Sequence, residues 1–206
     1  MEGYYINLES RTDRNEHMKR ITSHSFFKNI KRMDAIPHTN GAIGCSLSHI
    51  KGLKQLYMLK HKYYMVLEDD FCILNENNFY QFITEFEKIK ENDSWDVIVL
   101  TPRGITTTKD IQGDFHRIIE NQTTTGYIIK HSFIEQLLPI YENSISKLEN
   151  GGDPNKWALD SCWKPIQKIA NFWYFKYIYA GQLPWYSDIE KRVVDYNQRF
   201  LLQPNY

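Results

Sequence analysis

The chain predicts an α/β fold: a mostly parallel, Rossmann-like sheet with helices on both faces. Three observations carry that prediction. Short β-prone runs at residues 4–8, 63–67 and 96–100 alternate with stretches of helical periodicity. The runs at 63–67 and 96–100 are apolar almost throughout, as a strand buried on both faces must be. The first of these two, Tyr63-Tyr64-Met65-Val66-Leu67, ends abruptly at Glu68-Asp69-Asp70. Three carboxylates therefore stand where open α/β sheets bind their ligands, beyond the carboxyl end of a strand.

The elements follow in order. Residues 4–8 form a first strand, and the charged segment 9–14 leads into a helix to about residue 24, with Asp13 as an early cap. A weaker strand covers 30–35. The stretch Gly41-Ala42-Ile43-Gly44-Cys45-Ser46 opens a helix over about 46–61, with Leu47, Ile50, Leu53, Leu56 and Leu59 at three-residue steps and Ser46 or Ser48 as its cap. The strand to Leu67 is followed by a helix over about 78–91 and by a buried strand at 96–100, which Pro102 and Gly104 terminate. Residues 105–121 are polar and poorly patterned; 126–129 read as a short strand and 133–140 as a short helix. The regular alternation runs to about residue 138. After Gly151-Gly152-Asp153-Pro154-Asn155 the character changes, with most of the tryptophan lying in 157–185 and Asp160 near the start of a helical segment that Pro165 limits.

A chain of 206 residues holds one large or two small domains, and no linker divides this one. Lys plus Arg equals Asp plus Glu at 25 each, so no basic field steers nucleic acid or an anionic membrane, and a polynucleotide partner is not expected. Cys45, Cys72 and Cys162 are odd in number and widely spaced, which suits buried thiols better than a disulfide framework or zinc site. No apolar run approaches the ~18 residues of a membrane span, and no basic-then-apolar leader opens the sequence. The expectation is a cytoplasmic protein.

The acidic triplet needs a cation, and oxygen donors suit hard ions such as Mg²⁺ or Mn²⁺ that also hold substrate phosphates. If the strand stays extended, alternation puts Glu68 and Asp70 on one side and Asp69 on the other. Asp70 is then the direct metal ligand. Glu68 acts beside it through water or a sugar hydroxyl, and Asp69 holds the loop by accepting backbone N–H groups. Residues 41–49 put small residues before a helix whose first N–H groups could face an anion, although a plain helix entry has the same pattern. His49 suits a site or a core equally well. Asn7, Arg11 and Arg14 follow the first strand at the same sheet edge, where arginine serves phosphate, base stacking or simple solvation.

Three segments in this order, Tyr5-Ile6-Asn7-Leu8-x-x-Arg11-x-Asp13-Arg14, Gly41-Ala42-Ile43-Gly44-Cys45-Ser46-Leu47-Ser48-His49 and Val66-Leu67-Glu68-Asp69-Asp70, resemble glycosyltransferase family 25. That family includes bacterial lipooligosaccharide galactosyltransferases and collagen hydroxylysine galactosyltransferases. Shorter likenesses follow at Thr125-Gly126-Tyr127-Ile128-Ile129, Ala158-Leu159-Asp160 and Ser187-Asp188-Ile189. The resemblance implies a GT-A type fold, a UDP-hexose donor, Mn²⁺ or a similar ion at the acidic motif, and inversion at the anomeric carbon. It puts Glu68 and Asp70 at the metal, with Glu68, Asp69, Asn7, Leu8, Arg11, Arg14, Gly44, Ser48 and His49 on the nucleotide side. Asp160 becomes the candidate base, with Asp153 in reserve because the family's usual Pro before the apolar-Asp site is absent. One glycosyltransferase domain, 1–206, is expected, its first part (1–138) serving the nucleotide sugar and metal and its second (139–206) the acceptor, a glycan or a hydroxylysine. A catalytically weak nucleotide-sugar-binding module is the alternative, and a metal-dependent phosphoesterase or nuclease a more distant one.

Overall fold

The computed structural model describes residues 1–196. Its centre is an eight-stranded sheet in the order β2-β1-β3-β8-β5-β9-β7-β6. The strands are β1 (Glu2–Asn7), β2 (Ile30–Asp34), β3 (Tyr63–Glu68), β5 (Val97–Val99), β6 (Thr106–Gln112), β7 (Phe115–Glu120), β8 (Gly126–Lys130) and β9 (Phe172–Phe175). β1 runs parallel to β2 and β3, and β5 to β9, whereas β8 is antiparallel to both its neighbours and β7 to both of its own. Six strands thus point one way and β7 and β8 the other.

Alternation within β3 explains its unbroken apolar run. Tyr64 and Val66 face one helical layer, which holds α2 (Gly41–Tyr57) and α4 (His131–Glu149) with Leu53, Leu56, Phe133 and Leu137. Met65 and Leu67 face the other, formed by α1 (Thr12–Thr22) and α3 (Glu76–Ile89) with Met18, Phe79, Phe82 and Phe86. By the same alternation Glu68, the last residue of β3, is on the α2 side.

Several boundaries differ from the sequence expectation. α2 begins at Gly41 rather than near residue 46, because the Asn40 side chain accepts from the N–H groups of Ala42 and Ile43 and caps it. Neither Ser46 nor Ser48 is the cap; both hydroxyls donate one turn back, to the carbonyls of Ala42 and Gly44. Asp13 does not cap α1 either, since its carboxylate is paired with Arg11. α4 runs on to Glu149 with Pro139 inside it, and the polar stretch 105–121 forms the β6–β7 hairpin. Trp163 and Trp173 are core residues, so the aromatic segment 157–185 packs the interior more than it lines an open wall. Beyond the sheet lie β4 (Phe71–Ile73) paired with β10 (Ala180–Gln182), the short helices α5 (Pro154–Trp157), α6 (Leu159–Cys162) and α7 (Lys164–Gln167), and the small hairpin of β11 (Tyr186–Ser187) and β12 (Arg192–Val193). Residues 197–206, the end of the stretch assigned to the acceptor, lie outside the described residues. Among the described residues no helix is long and apolar enough to cross a membrane.

Candidate active site

The carboxyl ends of β1 and β3, the first turns of α1 and α2 and the segment 182–191 enclose a cleft with two adjoining cavities. The larger, about 310 Å³, is lined by Leu8, Arg14, Gly44, Ser48, His49, Glu68, Asp69 and Asp70. The smaller, about 160 Å³, is lined by Arg103, Thr123, Thr124, Thr125 and Asp160. Cys45, Glu68, Gln182, Ser187 and Ile189 line both, so the two are halves of one cleft. Residues from 1–138 and from 139–196 line each half.

β3 ends at Glu68, and Asp69 and Asp70 turn the chain into β4. The extended backbone that put Glu68 and Asp70 on one side by alternation is therefore absent, because Phe71 to Ile73 leave the main sheet to pair with β10. All three carboxylates still reach the larger cavity. Their repulsion is met first by a side chain: Arg14 donates to Asp69 Oδ1 at 2.6 Å and to Asp70 Oδ2 at 3.1 Å. Asp69 also accepts from Asn7 Nδ2 at 2.8 Å, so its loop is held by side chains rather than by backbone N–H groups.

The three acids sit in different fields. Burial pushes the Asp70 carboxyl up to about 7, with Arg14 opposing and Glu68 and Asp69 adding to the rise. Burial likewise raises Asp69 against the pull of Arg14. Glu68 lies below its ordinary range: burial works to raise it, but His49, the Thr124 hydroxyl and Arg14 together outweigh that. Thr124 Oγ1 donates to Glu68 Oε1 at 2.8 Å. One arginine against three carboxylates leaves net negative charge, and Asp70 Oδ1 is buried with no hydrogen-bond partner. An oxygen-rich acidic set with an unclaimed lone pair fits a hard divalent cation.

The remaining nucleotide-side candidates divide. Leu8, Arg14, Gly44, Ser48 and His49 line the larger cavity; Asn7 and Arg11 do not. Asn7 is buried, donating to Asp69 and the Arg11 carbonyl and accepting from Arg32. Arg11 pairs with Asp13 and Asp188 and donates to the Tyr186 carbonyl at 3.1 Å, which ties α1 to the segment over the cleft. The N–H groups of Ala42, Ile43 and Gly44 are not free to meet an anion, being taken up by Asn40. Its glycines serve close approach instead. A Cβ on Gly44 would stand 2.9 Å from the Ile36 carbonyl oxygen, and one on Gly41 about 3.0 Å from Ile189.

Asp160, on α6, faces the smaller cavity, where Arg103 Nη2 comes within 3.5 Å of its Oδ2. Burial raises its carboxyl above the usual range, Arg103 opposes, and the charge of Glu68 adds to the rise. Asp153 caps α5 through the N–H of Asn155 and is exposed, away from the cleft, which removes it as the reserve base. Arg103, Thr124 and Gln182 were not singled out from the sequence. Arg103 had a legible signal, a cation just beyond a buried strand; Gln182, whose Nε2 donates to Asp70 Oδ2 at 2.9 Å, had none.

The family model described as glycosyltransferase family 25 (LPS biosynthesis protein) matches residues 21–150. The chain belongs to glycosyltransferase family 25. The matched residues include the 41–49 and 66–70 motifs and stop short of Asp160. The mixed sheet between two helical layers is the GT-A type fold that the resemblance implied. No curated protein sequence matches the chain. Among solved structures, A197 from STIV is 12% identical, with 94% of this chain and 93% of that one covered and a TM-score of 0.48. A glycosyltransferase involved in glycosylation of the major capsid of PBCV-1 is 12% identical, with 84% and 90% covered and a TM-score of 0.45. Mannose-1-phosphate geranyltransferase from Thermus thermophilus is 11% identical at a TM-score of 0.44, and while 84% of this chain is covered, that match spans only 58% of the enzyme's length. With TM-scores below 0.5, none of these likenesses bears on what this family 25 chain binds.

Proposed function

We propose that this glycosyltransferase is metal-dependent and inverting, and that it moves a hexose, galactose or glucose, from a UDP-sugar to a hydroxyl of a glycan or, as the collagen branch of the family suggests, of a hydroxylysine. The observation that supports this most directly is the two-part cleft, with the acidic triplet in one cavity, Asp160 in the other and Glu68 lining both.

In this reading the larger cavity receives the nucleotide diphosphate and the smaller one the acceptor. Leu8, Gly44, Ser48 and His49 form the donor wall; Asn7 and Arg11 act from behind it by holding Asp69 and the 186–188 segment. Asp70 and Glu68 would hold Mn²⁺ or Mg²⁺, which when bound supplies compensation for charge developing on the leaving diphosphate. Asp160 takes the proton of the acceptor hydroxyl as that oxygen bonds to the anomeric carbon. The bond from this carbon to the diphosphate oxygen breaks, and UDP leaves from the opposite face with the electron pair. Burial of Asp160 keeps its basicity closer to neutrality than an ordinary aspartate's, which suits a general base.

A panel of nucleotide sugars incubated with the protein and Mn²⁺, without acceptor, tests this reading, since slow donor hydrolysis needs no knowledge of the acceptor. Metal-dependent release of UDP from one hexose donor is expected. UDP binding with no hydrolysis or transfer from any donor would make the protein a nucleotide-sugar-binding module instead.

A further inference from the structure

We propose that Cys45, His49 and Glu68 form a zinc site at the junction of the two cavities, distinct in its donors from the all-oxygen set at Asp70 and sharing only Glu68 with it. One ligand atom from each of the three lies within 4.8 Å of the others, and His49 Nε2 is 3.4 Å from Glu68 Oε1. Cys45 and His49 are four residues apart, so α2 presents them one above the other toward the sheet. Strand alternation in β3 turns Glu68 toward the same helix.

Several features distinguish this cluster from incidental proximity. His49 is fully buried, its Nδ1 is hydrogen-bonded to the Tyr127 hydroxyl at 3.1 Å, and its Nε2 has no hydrogen-bond partner. A metal-binding imidazole is commonly oriented through its other nitrogen in this way. Thr124 donates to Glu68 Oε1, the same oxygen that stands 3.4 Å from His49 Nε2, and holds the carboxylate in place. Zinc bonds of about 2.0–2.3 Å in a tetrahedron separate neighbouring ligand atoms by about 3.6 Å, so the Cys45 sulfur needs to move in by roughly an ångström at most. Cys45 lines both cavities, which gives the ion a route in and leaves a fourth position facing the cleft. A thiolate, an imidazole and one carboxylate select Zn²⁺ over Mn²⁺ or Mg²⁺. On binding, the thiol gives its proton to solvent as the sulfur–zinc bond forms, with no change of oxidation state. Because Glu68 is shared, zinc would inhibit a donor site that relies on that carboxylate. Zinc binding itself does not depend on the donor reading.

The test uses cobalt as a spectroscopic stand-in on the metal-free full chain. One equivalent of Co²⁺ should produce a thiolate-to-cobalt charge-transfer band and the strong visible absorption of a four-coordinate ion, both removed by Zn²⁺. Cys45→Ser should abolish the band and weaken Zn²⁺ binding by at least about tenfold, whereas Asp70→Asn should leave both in place. A cobalt spectrum without the thiolate band, or unchanged zinc affinity in Cys45→Ser, would overturn the site. Should Cys45→Ser fail to fold, zinc-edge X-ray absorption on the unsubstituted protein decides instead. Sulfur in the first coordination shell supports the site, and a shell of oxygen and nitrogen alone refutes it.

Discussion

Arg14 is the residue on which the acidic turn depends. It is buried, it bonds two of the three carboxylates, and its guanidinium sits 5.8 Å from the Trp185 ring centroid. Removing one partner of a buried ion pair strands the other, at a cost of about 3–5 kcal/mol. Arg14→Met should lose stability on that scale in urea denaturation of the metal-free protein, and Mn²⁺ should restore part of it if Asp70 and Glu68 hold the ion; a change under about 1 kcal/mol would mean that water reaches the turn freely. Asp160 makes the second prediction at this scale. Only its deprotonated form accepts a proton, and burial raises its folded pKa. Transfer should therefore rise with pH through a limb lying above the ordinary aspartate range. Asp160→Asn should keep UDP affinity and lose roughly 10²–10⁴-fold in transfer rate. Near-normal transfer in that variant would exclude Asp160 as the base. The acids themselves were legible in the sequence, because three adjacent carboxylates close a buried apolar strand and the motifs at 5–14 and 41–49 accompany them. Their pairing with Arg14 was not. The contact of Arg14 with Asp69 spans 55 residues and exists only because α1 packs beneath the end of β3.

At the scale of elements, apolar periodicity located the middles of helices and chemistry at the ends fixed their limits. Leu53 and Leu56 marked α2 correctly, but the helix begins at Gly41 because a single side-chain amide, that of Asn40, satisfies two N–H groups there. Asn40→Ala should cost about 1 kcal/mol. Leu53→Ala, which empties a fully buried position against β3, should cost about 2–5 kcal/mol. Both are readable as shifts in the denaturation midpoint, and equal losses would show that the cap is more than local. α4 outran its expected end because the buried stripe of Phe133, Ile134, Leu137 and Tyr141 offsets the hydrogen bond that Pro139 removes. The β6–β7 hairpin escaped notice for the opposite reason. β6 is an edge strand with little buried surface, and β7 contributes only Phe115, His116 and Ile118 to the interior. A strand held mainly by backbone pairing leaves little pattern to read.

The whole molecule puts its cleft where chain segments meet that are distant in sequence, and this part of the site was the least legible. The alternation of strands with helices gives a mostly parallel sheet, but β8 inserts in reverse between β3 and β5, and nothing in its apolar run gives its direction. The carbonyl of Thr125, just before β8, then accepts from the N–H of Glu68, which brings Thr124 to the end of the acidic strand. On the other side, Arg11 and Arg14 both donate to the Tyr186 carbonyl and hold residues 186–191 across the mouth of the two cavities. The proposed placement of the donor is a matter of position and is tested by position. If the nucleotide occupies the larger cavity, UDP with Mn²⁺ should slow backbone hydrogen exchange at residues 36–49, 68–70 and 186–191 and leave the β6–β7 hairpin unchanged. Arg11→Ala, which releases the 186–188 segment from α1, should weaken UDP binding without acceptor present and diminish the protection at 186–191. Exchange read by mass spectrometry discriminates the two halves of the cleft: protection concentrated at residues 158–164 and 103 would put UDP beside Asp160 and reverse the donor and acceptor assignment.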